Sequence, residues 1–187
     1  MLGERNSFSK TDPDATFMRL KEDHMRNGQL KPSYNVQLGT ENQFIVGYSV
    51  HQRPTDTRCL IPHLEQVKKQ LGRLPTTVVA DAGYGSEENY AYLEREGLTP
   101  LVKYSTFHKE GSKNWQQDVS RIENWTYDAT NDEWVCPNGQ RLVFQYESKG
   151  KTDSGYRTQL RHYRSLNCEG CPLRSQCTKQ RATGRFV

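Results

Sequence analysis

Tyr34, Val36 and Leu38 alternate with polar residues, Thr40-Glu41-Asn42 interrupts the pattern, and Phe44, Val46, Tyr48 and Val50 then alternate again. A period of two on both sides of a turn predicts an antiparallel hairpin with one apolar face. From residue 58 the period changes. Leu60, Ile61, Leu64, Val67 and Leu71 recur at helical spacing, Pro62 stands early in the segment and Gly72 just past its end, so residues 58–71 read as an amphipathic helix. After Pro75, Thr76-Thr77-Val78-Val79-Ala80 is a short β-branched, continuously apolar run of the kind buried on both faces of a sheet. Ala82-Gly83-Tyr84-Gly85 makes a tight connection, Ser86 caps a helix whose first turn carries Glu87 and Glu88, and Gly97 ends that helix before a strand over Leu98–Lys103. This segment is a strand–helix–strand crossover and fixes the class as α/β.

The flanks are less regular. Residues 1–32 form a polar entry segment, punctuated by Asp12-Pro13-Asp14, with one short helix expected in the charged stretch leading to Asn27-Gly28. Residues 33–104 carry the patterned core, and residues 105–187 form a further region. Its first part holds Trp115, Trp125 and Trp134 among polar residues, reads as loops or short strands, and suggests no function.

The 187 residues are 33% hydrophobic and 26% charged, with a mean hydropathy of −0.94. That is enough for one domain and a small appendage. No run of about 18 apolar residues is present to span a membrane, and the polar first thirty residues do not read as a secretory signal, so a cytoplasmic location is expected. Charge is unevenly distributed: residues 1–137 hold 16 basic and 19 acidic side chains, residues 138–187 hold 10 basic and 3 acidic ones. In the second stretch Arg157, Arg161, Arg164 and Lys179 interleave with Tyr156, Tyr163 and Phe186, a composition suited to phosphates and stacked bases, and equally to a merely solvated basic face.

Two sites carry candidate chemistry. Asp81 closes the apolar run 76–80, and a carboxylate at the C-terminal end of a buried strand faces the crevice where open α/β sheets place ligands. The plainer alternative is that Asp81 caps the following turn through backbone amides. The second constellation is Cys136-Pro-Asn-Gly with Cys168-Glu-Gly-Cys171-Pro-Leu-Arg-Ser-Gln-Cys177. Four thiols suit a structural Zn²⁺, with His162 as a substitute for one of them, while reduced thiols or a disulfide remain open alternatives. Cys59 reads as a small core residue, a catalytic thiol there requiring His51 or His63 as a partner.

Lys31-Pro-Ser-Tyr-Asn-Val-Gln, Thr55-Asp56, Ala80-Asp-Ala-Gly-Tyr-Gly-Ser-Glu-Glu-Asn89 and the two cysteine segments together resemble bacterial insertion-sequence transposases with a DDE catalytic domain, over nearly all of residues 5–180. The resemblance implies an incomplete ribonuclease H-like mixed sheet with flanking helices, plus a small cysteine-containing, zinc-ribbon-like β segment. It also implies Mg²⁺ held by two Asp and one Glu, cleavage and joining of DNA at transposon ends and target, and action as a homodimer. Asp81 matches the second Asp of that triad. The first Asp and the Glu have no match, and neither Asp12, Asp14 nor Glu123 takes over their role. The expectation is therefore an internal, inactive and marginally stable fragment of a transposase, with a non-enzymatic, zinc-stabilised DNA-binding module as the alternative.

Overall fold

The computed structural model describes residues 7–20, 23–165 and 167–178. The chain divides into two compact units, residues 1–105 and residues 106–187.

The first unit begins with β1 (Thr16–Arg19) paired antiparallel to β2 (Leu30–Ser33), so the entry segment contributes a strand where only polar chain and a short helix were expected. Among the described residues of the charged stretch there is no helix. Asp23 explains the difference. Its carboxylate accepts the backbone N–H groups of Met25, Asn27 and Gly28 and also holds Lys31, so the side chain satisfies donors that a helix would need and folds the segment into a turn.

The hairpin is β3 (Asn35–Glu41) with β4 (Phe44–His51), antiparallel, turning at Asn42 and Gln43. Both turn residues have positive φ, 48° and 71°, as a two-residue turn matching the strand twist requires. The face it buries is the polar one. Gln37 and Ser49 are 4% and 2% exposed, while Val36, Leu38, Tyr48 and Val50 are each more than half exposed. The cause is close helix packing. α1 (Leu60–Leu71) lies against the glycines of the polar face: a Cβ on Gly47 would stand 2.7 Å from Val67 Cγ2, and one on Gly39 would stand 3.1 Å from His63 Nε2. A side chain at either glycine would push the helix away, so the helix settles on the face that has none.

β5 (Thr77–Ala80) pairs in parallel with β6 (Thr99–Val102) across the helix α2 (Glu87–Arg95), which is the predicted crossover. Ser86 Oγ accepts the Asn89 N–H at the helix start, and Gly97 (φ 68°) reverses the chain at its end. Leu60 and Leu64 of α1, Tyr92 and Leu93 of α2, Val78 and Leu98 form the core. Burial on both faces of β5 is not realised: Val78 is in the core, whereas Val79 is 76% exposed. Helices cover only one side of the strand, and successive side chains point to opposite sides. The β3–β4 and β5–β6 ladders are separate two-stranded sheets. Gln37 and Leu38 of β3, His63 and Val67 of α1, and Val78 and Ala80 of β5 line a cavity of about 510 Å³. The class is mixed α/β, in agreement with the sequence pattern.

The second unit opens with two short helices, α3 (Phe107–Glu110) and α4 (Lys113–Gln116), and continues as an antiparallel meander of β7 (Thr126–Asp128), β8 (Glu133–Val135), β9 (Arg141–Lys151) and β10 (Arg157–Ser165), closed by α5 (Arg174–Cys177). Trp125, Leu142 and Tyr163 form its core, with Trp134, Cys136 and Cys177 packed against them. The tryptophans that gave no sequence pattern are thus structural anchors. Trp125 Nε1 donates to the Val119 carbonyl at 3.1 Å, and the Arg121 guanidinium sits 3.3 Å from the centre of the buried Trp115 ring.

Candidate functional site

Asp81 stands at the end of β5, where its Oδ1 accepts the Gly83 N–H at 2.8 Å. The capping role is therefore real, and it occupies one carboxylate oxygen. Gly83 has a second importance. A Cβ built on it would lie 2.9 Å from Asp81 Oδ1 and 3.4 Å from Asp56 Oδ2, so the turn holds two carboxylates around a position that has no side chain.

Asp56 comes from the short turn that leads into α1. Its Oδ1 accepts Asn35 Nδ2 at 2.8 Å and Gln37 Nε2 at 3.1 Å, both from the buried face of β3. The Gln37 amide also donates to Asn35 Oδ1 at 2.6 Å, and its Oε1 accepts the Tyr84 hydroxyl. Burial pushes the Tyr84 phenol above its ordinary range, and the charges of Asp56 and Asp81 add to the effect. Asn89, 2% exposed, ties the two turns together by donating to the carbonyls of Thr57 and Tyr84 at 2.8 and 2.6 Å. Asp56, Gln37 and Asn89 were not singled out as site residues. The available signal was the presence of Asn35-x-Gln37 on one strand face and Thr55-Asp56 ahead of a helix.

Asp12, by contrast, serves the hydroxyl of Tyr34 at 2.9 Å and the Asp14 N–H. Cys59 is fully buried, and its thiol, which donates to the Thr55 carbonyl, is pushed up in pKa by burial and by Asp56. His51 and His63 both bond the Ser49 hydroxyl, at 2.7 and 2.8 Å, so neither nitrogen used there serves Cys59.

In the second unit Cys136, Cys168, Cys171 and Cys177 line one small cavity of about 30 Å³ together with Trp125 and Leu142. Cys136 begins a tight turn in which Gly139 (φ 74°) donates to the Cys136 carbonyl, and the Arg174 N–H donates to the Cys171 carbonyl at the start of α5. None of the four is joined in a disulfide. Among the described residues no group of three or more His, Cys, Asp or Glu side chains is arranged as a ligand set for a metal. His162 is not among the residues of the cavity: it bonds Ser148 Oγ at 2.8 Å and stacks on Tyr146.

The candidate nucleic-acid residues divide. Arg157 is exposed on β10 opposite Lys151 of β9, and Lys149 stands two residues away on the same strand face. Arg161 is engaged with Asp132 at 2.6 Å and Glu147 at 3.4 Å and lies over the rings of Phe144 and Tyr163, which makes it a packing residue first. Arg164 is exposed near the end of β10, and Lys179 lies outside the described residues. No described helix is long and apolar enough to cross a membrane.

No curated protein and no solved structure matches the chain. A family model for the transposase DDE domain matches residues 7–164, a span that includes the Asp81 corner and every strand but the last residue of β10, and stops short of Cys168. With that match over most of its length, and with the strand–Asp–turn–helix element inside it, the chain belongs to the transposase DDE domain family.

Proposed function

We propose that this chain is part of the DNA-cleaving and DNA-joining domain of a bacterial insertion-sequence transposase, that Asp81 is one carboxylate ligand of its Mg²⁺ site, and that the chain by itself does not cut DNA. The observation that carries the reading is the position of Asp81 at the mouth of β5, beside the space that Gly83 leaves open. The oxygen donors suit a hard divalent cation. When bound, such a cation lowers the pKa of an attacking water or hydroxyl and offsets charge on the leaving oxygen. The residues do the positioning: the Gly83 N–H fixes the Asp81 carboxylate through Oδ1, and Asn89 locks the backbone on both sides of the corner. Phosphoryl transfer at two cations demands several carboxylates, and the described residues bring two to this corner.

The test is Mg²⁺-dependent nicking of plasmid DNA together with Mn²⁺ binding. The expected result is no nicking, with Mn²⁺ binding that is lost in Asp81→Asn. Nicking that disappears in Asp81→Ala would show that the chain is a competent nuclease.

A second reading, favoured by the shared cavity of the four cysteines, is a zinc-stabilised DNA-binding module in the second unit. Cys136, Cys168, Cys171 and Cys177 would hold one Zn²⁺, and Lys149, Lys151, Arg157, Arg164 and Lys179 would meet the phosphates, with Arg161 bracing the sheet between them. Elemental analysis should give about one zinc per chain, and a folded, zinc-free preparation defeats the four-thiol site. DNA affinity should fall with salt at a log–log slope of roughly −0.9 per phosphate contacted and persist in Asp81→Ala.

A further inference from the structure

In the function proposed above, the Asn35-Val36-Gln37 strand has no role and Asp56 is only counted as the second carboxylate near Asp81. We propose that Asp56 is a second carboxylate ligand of the Asp81 cation site, and that Asn35 and Gln37 are the positioning residues that hold it there; the inference rests on the reading of Asp81 as a metal ligand. Two amide groups from one strand face, Asn35 Nδ2 and Gln37 Nε2, converge on the same oxygen, Asp56 Oδ1. The other oxygen, Oδ2, is left clear of those amides and lies 3.4 Å from where a Cβ on Gly83 would stand. The Tyr84 hydroxyl, by donating to Gln37 Oε1, sets which end of that amide faces Asp56.

The charges at this corner are unbalanced. Among the described residues neither Asp56 nor Asp81 makes an ion pair, and the donors that reach them are the neutral amides of Asn35, Gln37 and Gly83. Two carboxylates held near each other repel, and a shared divalent cation relieves that repulsion. A Cβ on Gly83 would enter a position within reach of both carboxylates, 2.9 Å from Asp81 Oδ1 and 3.4 Å from Asp56 Oδ2. The buried Gln37, 4% exposed on an otherwise apolar-flanked hairpin, then has a reason to be polar.

The experiment titrates Mn²⁺ into the full 187-residue chain and follows the free ion by electron paramagnetic resonance, with far-UV circular dichroism as a check on folding. Asp56→Asn should weaken Mn²⁺ binding roughly tenfold or more, and Gln37→Met by roughly tenfold, as removal of a ligand's supporting partner does. Gly83→Ala retains both carboxylates but places a methyl group 2.9 Å from Asp81 Oδ1 and 3.4 Å from Asp56 Oδ2, and should weaken binding to a similar degree. Asp12→Asn should change nothing. If Asp56→Asn and Gly83→Ala bind Mn²⁺ as the parent chain does while Asp81→Asn does not, Asp56 is no ligand and the Asp81 reading stands alone. If Asp81→Asn also binds like the parent, the Asp81 reading itself fails and takes this inference with it. A loss in Asp56→Asn with no change in Gln37→Met overturns the positioning role of the strand.

Discussion

In the first unit the Asp81 corner is assembled from β3, the turn before α1, the end of β5 and the first turn of α2, and its contacts are polar: amide to carboxylate, hydroxyl to amide, amide to carbonyl. In the second unit the cysteines reach their cavity on a tight turn after β8 and on the segment that runs into α5, and the wall they share is apolar, with Trp125 and Leu142. One site depends on hydrogen bonds between distant segments. The other depends on short turns attached to a packed sheet. A polar network of the first kind demands that every member be matched, because a buried amide or hydroxyl without a partner costs about 1–3 kcal/mol. A turn resting on an apolar core tolerates more sequence change, since hydrophobic packing has no direction.

The largest effect that bears on this contrast is expected in the cores. Leu142→Ala should destabilise the second unit by about 2–5 kcal/mol, because the side chain is 1% exposed and its loss leaves a cavity. Trp115, Trp125 and Trp134 all lie in that unit, so urea unfolding followed by tryptophan fluorescence reads it directly. Leu93→Ala, in the first unit, should have a similar cost by circular dichroism. A tryptophan transition that Leu93→Ala moves as far as Leu142→Ala does would break the division into two units.

Gly47→Ala should cost about 1–3 kcal/mol, since its Cβ would stand 2.7 Å from Val67 Cγ2 and overpack the hairpin against α1. An unchanged urea midpoint would mean that the buried polar face is not chosen by helix approach. Ser86→Ala should cost about 1 kcal/mol through loss of the cap on Asn89, again read by urea unfolding.

The smallest effects are those of pH, and the two units should respond in different windows. Burial holds His63 below its ordinary value, with the neighbouring His51 adding to this, and burial together with Arg53 does the same to His51. The unfolded chain takes up protons near pH 6.5 that these folded histidines refuse, so it binds more protons in that window and the first unit loses stability as pH falls through it. Asp132 in the second unit is held low by hydrogen bonds from Tyr127 and Tyr163 and by Arg161. The stability it supplies is present above its ordinary value of 3.8 and is lost as pH falls below it toward the folded pKa. Circular dichroism of the first unit should therefore weaken before tryptophan fluorescence does. Asp132→Asn, which suits the positive φ of 55° at that position, should flatten the acid limb of the tryptophan signal.

Much of the first unit was legible. Alternation gave the hairpin, the 3.6-residue period gave α1, and Ser86 with Gly97 bracketed α2, because each signal comes from residues close in sequence. The face buried by the hairpin was not legible. Alternation says that two faces differ but does not say which one a helix will meet, and here two glycines and Ser49 outweighed four apolar side chains. Asp81 was legible from its place after a strand, whereas Asp56 acquires its position through contacts with residues 19 and 21 positions earlier. The cysteines stood out by spacing, yet only the fold shows that they line one cavity. The segment with three tryptophans had no period at all, since each packs by its own geometry rather than along a regular element.

By itself, the sequence determined the order and type of the patterned elements, the uneven charge and the family to which the chain belongs, because these follow from local periodicity and from motifs read residue by residue. Only the tertiary structure decided that the polar face of the hairpin turns inward and that Asn35, Gln37, Asp56, Tyr84 and Asp81 share one corner. Those outcomes depend on how closely α1 approaches two glycines and on which distant donors find which acceptors, and neither is encoded in any single stretch of chain.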